Sequence, residues 1–263
     1  MGLIESINQA NSDFNNIKSA IVESGVDVPD GTPIYEYSKK VGKVYEAGQK
    51  AGVEEHNRIV TDAMTSFGTR ENYGYAFANG NWTGFEFSET IKPKAHIHYM
   101  FYNCVNMTEL PKPLDFSEIL LNASDTYAYR RSVFGYCRNL KVFPDVNMRA
   151  IGGIEEWFAY CNDLHTIELL RVKAETVYNA NTFIRCDELV NLTIDGVIGQ
   201  EGFNVKDSKK LSKASITSII SALSTETTGL TVTISKTAKE AAFTDDEWSV
   251  LEATKPNWTI ALA

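Results

Sequence analysis

The chain has 263 residues, 43% of them hydrophobic and 22% charged, with a formal net charge of −9 at pH 7 and a pI near 5.0. That composition is globular, with apolar material for one sizeable core or two small ones. The acidic balance excludes a nucleic-acid backbone or an anionic membrane as the main partner, because both demand a basic face.

At the start of the chain, residues 1–6 lack the basic lead and apolar core of a secretion signal, and no run of about 20 apolar residues follows anywhere. The expectation is synthesis in the cytoplasm without membrane insertion. The same six residues fit the loose myristoylation pattern Met-Gly-x-x-x-Ser, but they also open a helical heptad, which is the preferred reading. Leu3, Ile7, Ala10, Phe14, Ile17 and Ile21 are spaced as the a and d positions of three heptads. Such a seam predicts self-association, and its isoleucine-rich a positions favour a homotrimer; the alternative is an amphipathic helix folded onto its own domain. Gly25, Pro29 and Pro33 end this helix. Ile34, Tyr37, Val41, Val44, Gly48 and Ala51 predict a second helix, and Ile59, Val60, Ala63, Met64 and Phe67 a third. Residues 1–68 therefore read as a helical, coiled-coil-like module for oligomerisation and docking.

The next stretch is a repeat. Phe158, Cys161, Leu164 and Ile167 define a unit, Phe-x-x-Cys-x-x-Leu-x-x-apolar. The unit returns as Phe101, Cys104, Met107, Leu110, as Phe134, Cys137, Leu140, Phe143, and as Phe183, Cys186, Leu189, Leu192. A decayed copy begins at Phe77, where Gly80 replaces the cysteine, as expected of a terminal repeat with one face in solvent. Its neighbours Trp82, Phe85 and Phe87 read as a hydrophobic cap. One interval, from Phe101 to Phe134, is longer than the others by about nine residues, which repeat logic places on a loop within 112–133.

Within each unit the segment from the leucine onward alternates. Residues 164–169 and 189–194 read as short strands with Ile167, Leu169, Leu192 and Ile194 inside, and with Thr166, Glu168, Asn191 and Thr193 outward. Stacked copies build a parallel sheet whose outer side is a ready binding surface. All four cysteines occupy one slot of the repeat and none forms Cys-x-x-Cys, so they read as small buried hydrophobes rather than zinc ligands or a disulfide framework, although stacking could permit an adventitious disulfide.

Beyond the repeats, residues 208–223 predict an amphipathic helix with Ile216, Ile219, Ile220 and Leu223 on one face. Residues 230–235 alternate as a strand, Thr244-Asp245-Asp246-Glu247-Trp248 reads as a capped helix start, and residues 257–262 as a last strand.

The repeat unit resembles the leucine-rich repeats of the BspA type, also called the Treponema pallidum type, over residues 73–194. The resemblance implies a right-handed solenoid, a binding role and no catalytic residues to carry over. The order Ser-Ile-Thr-Ser-Ile-Ile helix, Thr-Val-Thr-Ile strand, short helix and Asn-Trp-Thr-Ile strand resembles the tail of leucine-rich-repeat proteins encoded by bacteriophages and prophages of gut Gram-positive bacteria. Residues 17–32 are similar to the start of many tail and baseplate proteins in such genomes. The expected fold class is α/β: a leucine-rich-repeat solenoid with parallel strands at 73–207, preceded by the helical module and closed by a helix-strand cap at 208–263.

The sequence holds no phosphate-binding Gly-x-x-x-x-Gly-Lys-Ser/Thr loop, no His-Glu-x-x-His and no Gly-x-Ser-x-Gly. His96 and His98 read as structural or surface histidines, and Asp245–Asp246 and Glu155–Glu156 as helix-start and solvated charges. No enzyme, cofactor or metal is expected. The insertion carries Tyr127, Tyr129, Arg130 and Arg131, aromatic faces beside planar donors, a mixture suited to sugars or acidic polymers; the plainer reading is a loop packed on the repeats or a neighbouring subunit. The reading as a whole is a phage virion protein, of tail, baseplate or fibre, that displays its repeats for host-surface adhesion. Its expected partners are its own copies, other virion proteins through the N-terminal helices, and a host-surface glycan or protein. The alternatives are a purely structural virion component and a BspA-like bacterial surface adhesin.

Overall fold

The computed structural model describes residues 18–23, 26–29, 74, 77–80, 86–93, 97–117, 131–146 and 152–263. Leu3, Ile7, Ala10, Phe14, Ile17, the two helices expected at 34–51 and 59–67, and Trp82, Phe85, Tyr127, Tyr129 and Arg130 lie outside the described residues, as does the side chain of Phe87. Residues 18–23 are helical, and Ile21 is covered by the chain itself.

The three-residue spacing of the repeat is a hydrogen-bonded turn taken twice. The cysteine N–H donates to the phenylalanine carbonyl in each copy: Cys104 to Phe101, Cys137 to Phe134, Cys161 to Phe158 and Cys186 to Phe183. Met107, Leu140, Leu164 and Leu189 donate in turn to those cysteine carbonyls. Bonds of this i to i+3 kind bring every third side chain to the same side, so phenylalanine, cysteine and leucine all enter the core. All of these side chains are at or near full burial.

Copies then stack through matching bonds. Phe77, Phe101, Phe134 and Phe158 donate their N–H to Met100, Val133, Trp157 and Thr182 of the next copy. Two residues on, Asn79, Asn103, Tyr136 and Tyr160 do the same. Stacking also aligns the rings: Phe77, Phe101, Phe134, Phe158 and Phe183 follow one another at centroid separations of 5.0, 5.6, 6.2 and 5.7 Å, with planes within 16° of parallel. Phe203 closes the column, tilted at 50° and 5.2 Å from Phe183. Gly80, in the cysteine slot of the first copy, donates to Phe77 as a cysteine would, so the decayed copy keeps the turn.

Strands form where the units emerge from these turns. β1 (Glu86–Ile91) pairs in parallel with β2 (Lys112–Leu114), and β3 (Val142–Phe143), β4 (Thr166–Val172) and β5 (Asn191–Gly196) form a second parallel sheet in that order. Val142, Thr166 and Asn191 stand in one row across it. After Ile167 the register shifts, and Leu170 rather than Leu169 opposes Ile194. This corrects the simple alternation: the extra residue of the bulge leaves Leu169 half-buried and puts Leu170 fully in the core. Ile194, expected inside, is half-buried against the core.

The C-terminal segment turns the same parallel logic into helix-strand units. β6 (Asn204–Val205), helix α1 (Lys213–Ala222), strand β7 (Leu230–Ile234), helices α2 (Lys236–Ala242) and α3 (Asp245–Glu252) and strand β8 (Trp258–Leu262) follow in chain order, and β6, β7 and β8 form a third parallel sheet. α1 begins at Lys213, not Ser208, because residues 206–211 fold into turns and Ser212 is the cap, its Oγ accepting the Ser215 N–H. The capped start at Thr244 is present, with Thr244 and Glu247 forming a reciprocal capping box.

α1 lies along the free edge of β5 and satisfies it with hydroxyls. Ser215 Oγ accepts the Leu192 N–H at 2.8 Å, Ser218 Oγ accepts the Ile194 N–H at 2.9 Å, and the Ser212 N–H donates to Val190. The helix thus ends the sheet where another strand would otherwise pair, which removes an aggregation-prone edge. Asp207 does the same at the turns, its carboxylate accepting the Arg185 N–H at 2.9 Å, in place of a carbonyl from a following copy. Lys255 Nζ then reaches the Ser221 and Leu223 carbonyls at the end of α1. Asn257 Nδ2 binds the Ser224 and Thr227 carbonyls, and Trp258 Nε1 shares Ser224, which explains the Asn-Trp pair before the last strand. Together these parts make a mixed α/β protein with its parallel strands in small sheets and few helices among the described residues.

Candidate binding surface

The outer side of β3–β5 gathers the short polar side chains that the alternation predicts. Glu168, Asn191 and Thr193 are exposed and Thr166 is half-exposed, while Ile167 and Leu192 between them are buried. Thr166 and Asn191 are neighbours, the Asn191 amide donating to Thr166 Oγ1 at 3.3 Å, and His165 Nδ1 lies 3.1 Å from the same oxygen. All four sheet residues named from the sequence therefore share one face.

The face also holds a charged group that the strand pattern did not single out. Arg171, past the bulge on β4, grips both carboxylate oxygens of Asp145 through its two terminal nitrogens. Its Nε lies 3.5 Å from Asp195 on β5. Pairing with Asp145 holds the Arg171 guanidinium even more firmly protonated than usual. Glu168 joins the group by accepting the Asp145 N–H at 3.2 Å. Arg171 and Asp195 stand opposite each other on neighbouring strands, each one residue beyond an inward position, Leu170 and Ile194. The bulge hid this pairing, because strict alternation turns Arg171 inward.

The turn side of the repeats forms a second surface. Tyr102, Tyr136 and Tyr160 are half-buried and run as a column, Tyr136 stacking on Tyr160 at 4.5 Å and Tyr102 tilted against Tyr136 at 5.2 Å. Tyr136 and Tyr160 have φ of 64° and 60°, the left-handed conformation that the second residue after the phenylalanine adopts in every copy. Asn79 and Asn103 hold the slot at φ 60° and 58°, as asparagine does with little strain, and bond each other at 2.8 Å. In the tyrosine copies, ring stacking of about 0.5–1.5 kcal/mol offsets part of the strain.

Arg131, at the return end of the insertion, lies on this turn side and not on the sheet. Its guanidinium binds Glu156 with two bonds of 2.9 and 2.6 Å, and Ser132 Oγ donates to the same carboxylate. The pair raises the Arg131 pKa and holds the Glu156 carboxyl below the usual carboxylate range. Arg131 is thereby a clasp between copies, its Nε and one terminal nitrogen engaged by Glu156.

The cysteines are donors as well as fillers. Each Sγ–H reaches back to the phenylalanine carbonyl of the preceding copy, Cys104 to Phe77, Cys137 to Phe101, Cys161 to Phe134 and Cys186 to Phe158, at 3.0–3.2 Å. All four are free thiols, and burial pushes the thiols of Cys104, Cys161 and Cys186 up, so they stay protonated and unreactive. Among the described residues no cluster of histidine, cysteine and carboxylate has the makings of a metal site, and no helix is long and apolar enough to cross a membrane.

No family model, curated protein or solved structure matches this chain.

Proposed function

We propose that this chain is a non-enzymatic bacteriophage virion protein whose leucine-rich-repeat solenoid adheres to the host surface. The solenoid reading is supported by the double turn that recurs in each copy, by the copy-to-copy backbone bonds and by the parallel register of β3–β5. The observation that carries the adhesion reading is the outward row of Thr166, Glu168, Asn191 and Thr193. Four polar side chains lie on one face of the sheet, Thr166 and Asn191 in register and Glu168 held by the Asp145 N–H, so the sheet presents them with little reordering on binding. The N-terminal heptads supply the second half of the mechanism: a homotrimer, docked on tail, baseplate or fibre, engages several weak sites at once and gains avidity.

The test is binding of labelled full-length protein to intact host cells and to phage-resistant mutants of the host. Saturable binding that the resistant cells lose, and that Glu168→Ala with Thr193→Ala weakens, supports adhesion through the sheet. Tyr129→Ala with Arg130→Ala in the same assay measures the share of the insertion. A folded oligomer that binds neither cell type, but is captured by other virion proteins, moves the assignment to a structural virion component.

A further inference from the structure

Two strands that end their sheets, β5 and β8, are treated differently. The edge of β5 is sealed by the Ser215 and Ser218 hydroxyls of α1. β8 has β7 on one side and, among the described residues, no strand on the other. The ladder fixes which of its backbone groups are spare. Ala263 donates to the Ile234 carbonyl and accepts the Lys236 N–H, and in a parallel pair that role falls to alternate residues, so Thr259 and Ala261 also face β7. Trp258, Ile260 and Leu262 therefore turn their backbone groups to the open side. The Trp258 N–H is taken by the Lys255 carbonyl. The N–H groups of Ile260 and Leu262, and the carbonyls of all three residues, have no protein partner among the described residues. Nothing in β8 obstructs a further strand: Trp-Thr-Ile-Ala-Leu holds no charge and no proline, and its register with β7 runs without a bulge. Leu262, at its end, is 39% exposed, one of few large apolar side chains left in solvent among the described residues.

We infer that β8 is a self-pairing edge, at which two copies of this chain join antiparallel across a two-fold axis at Ile260. The order of donors and acceptors chooses this occupant. About that axis Ile260 exchanges both bonds with its own counterpart, and each Leu262 N–H meets the Trp258 carbonyl of the other copy. Both spare donors are used, and only the Leu262 carbonyl is left to water. The same register sets Leu262 against Trp258 of the other copy, which covers its exposed side chain, and Thr259 beside Ala261. Two chains of net charge −9 repel, and this uncharged strip lets them meet without setting like charges opposite each other. A five-residue edge is a small contact, so assembly through it depends on concentration. The pairing is independent of the adhesion reading. It uses none of the heptad residues, so it doubles whatever number of copies they join.

Sedimentation equilibrium of the full-length protein reads the copy number. Leu262→Pro removes one outward N–H and no bond inside the chain, so it should halve the mass of the assembly at a concentration where the parent is fully paired, while cooperative unfolding is retained. Val250→Lys, which removes a 71% exposed apolar side chain from α3, should leave the mass unchanged. A second measurement reads the register and does not need the proline variant. Thr259 and Ala261 of the other copy form a non-hydrogen-bonded pair, whose Cα atoms lie about 4.5 Å apart, within reach of a disulfide. Thr259→Cys protein mixed with Ala261→Cys protein should give a covalent dimer under mild oxidation, and neither should do so alone. The four native cysteines are buried and do not compete. The inference is overturned by an unchanged mass in a folded Leu262→Pro protein, by the absence of a covalent dimer from the mixture, or by a dimer from either cysteine variant alone, which would mean another register or direction.

Discussion

Along the turn side of the repeats the same residue types return in the four full copies, phenylalanine, cysteine and leucine or methionine, whereas across the strand face the equivalent row reads Val142, Thr166, Asn191. Two residues further it reads Pro144, Glu168, Thr193. The turn slots are constrained on all sides by the copies before and after, so one solution recurs; the outer row meets solvent and is tied to the chain only by single side-chain bonds, Asn191 to Thr166 and Glu168 to the Asp145 N–H. Positions that vary while the backbone holds them in fixed register are where a repeat protein is free to encode a ligand. If this division is right, substitutions on the turn side act on stability and those on the face act on binding.

The largest expected effect is at Phe158. Its ring lies among Phe134, Phe143, Trp157 and Phe183, and Phe158→Ala leaves a cavity in the middle of the column. A loss of about 3–5 kcal/mol is expected, read as a lower urea midpoint at unchanged slope. A loss below about 1 kcal/mol would mean that the copies do not depend on their shared column, and the comparison would break there.

Next comes the edge. Ser215 is buried and its hydroxyl both accepts the Leu192 N–H and donates to the Val190 carbonyl at 2.9 Å. Ser215→Ala leaves the buried Leu192 N–H unpaired, while the Val190 carbonyl keeps the Ser212 N–H, and the loss costs about 1–3 kcal/mol despite the better helix propensity of alanine. Hydrogen exchange at the Leu192 amide should quicken more than at Ile167, one strand away from the helix. Equal acceleration at both would show global rather than edge destabilisation.

A smaller effect sharpens the role of Arg131. The folded state holds the Glu156 carboxyl below its unfolded value of about 4.3, chiefly through the Arg131 bonds. Its contribution is therefore fully present above that pH and is lost as pH falls through the folded pKa. With Arg131 about half-exposed, side-chain relative accessibility being 48%, the pair is expected to add only about 0.5–1 kcal/mol. Glu156→Gln should lower stability at pH 7 and flatten the acid limb of the stability curve below about pH 5. An unchanged acid limb would assign the clasp no energetic role.

The sequence displays the turn side well because spacing by three is itself the structure: Phe158, Cys161 and Leu164 enter the core since each turn closes on the third residue. Burial of the four cysteines follows from that spacing, but their bonds to the preceding phenylalanine carbonyls do not, because a thiol and a methyl leave the same mark in a hydrophobic pattern. Leu169 and Leu170 show where alternation stops being informative. A bulge adds a residue without any Gly or Pro to announce it, and every side chain beyond it changes face, which is why Arg171 was hidden. Helix α2 has Ser235 as a visible cap, yet it buries only Ala238 and Lys239, so it lacks the apolar stripe that reveals a helix. Ser212, Ser215 and Ser218 carry no apolar mark in the helix pattern that Ile216, Ile219, Ile220 and Leu223 define. Their task as partners for a strand edge depends on the neighbour that α1 meets, which no periodicity within α1 contains.

The smallest expected effect on stability is on the strand face, and there the comparison is decided. Glu168 touches the fold through one bond, the Asp145 N–H, and the amide oxygen of glutamine can accept that bond equally well. Thr193 is exposed on β5, where alanine lowers strand propensity slightly and removes no interior contact. Glu168→Gln and Thr193→Ala should each stay within about 0.5 kcal/mol of the parent in urea unfolding. The same variants should weaken attachment to host cells while Ser215→Ala, assayed below its melting point, should not. If the face variants instead destabilise the protein as Ser215→Ala does, the outer row is part of the scaffold, and the difference between Val142, Thr166 and Asn191 records packing rather than recognition.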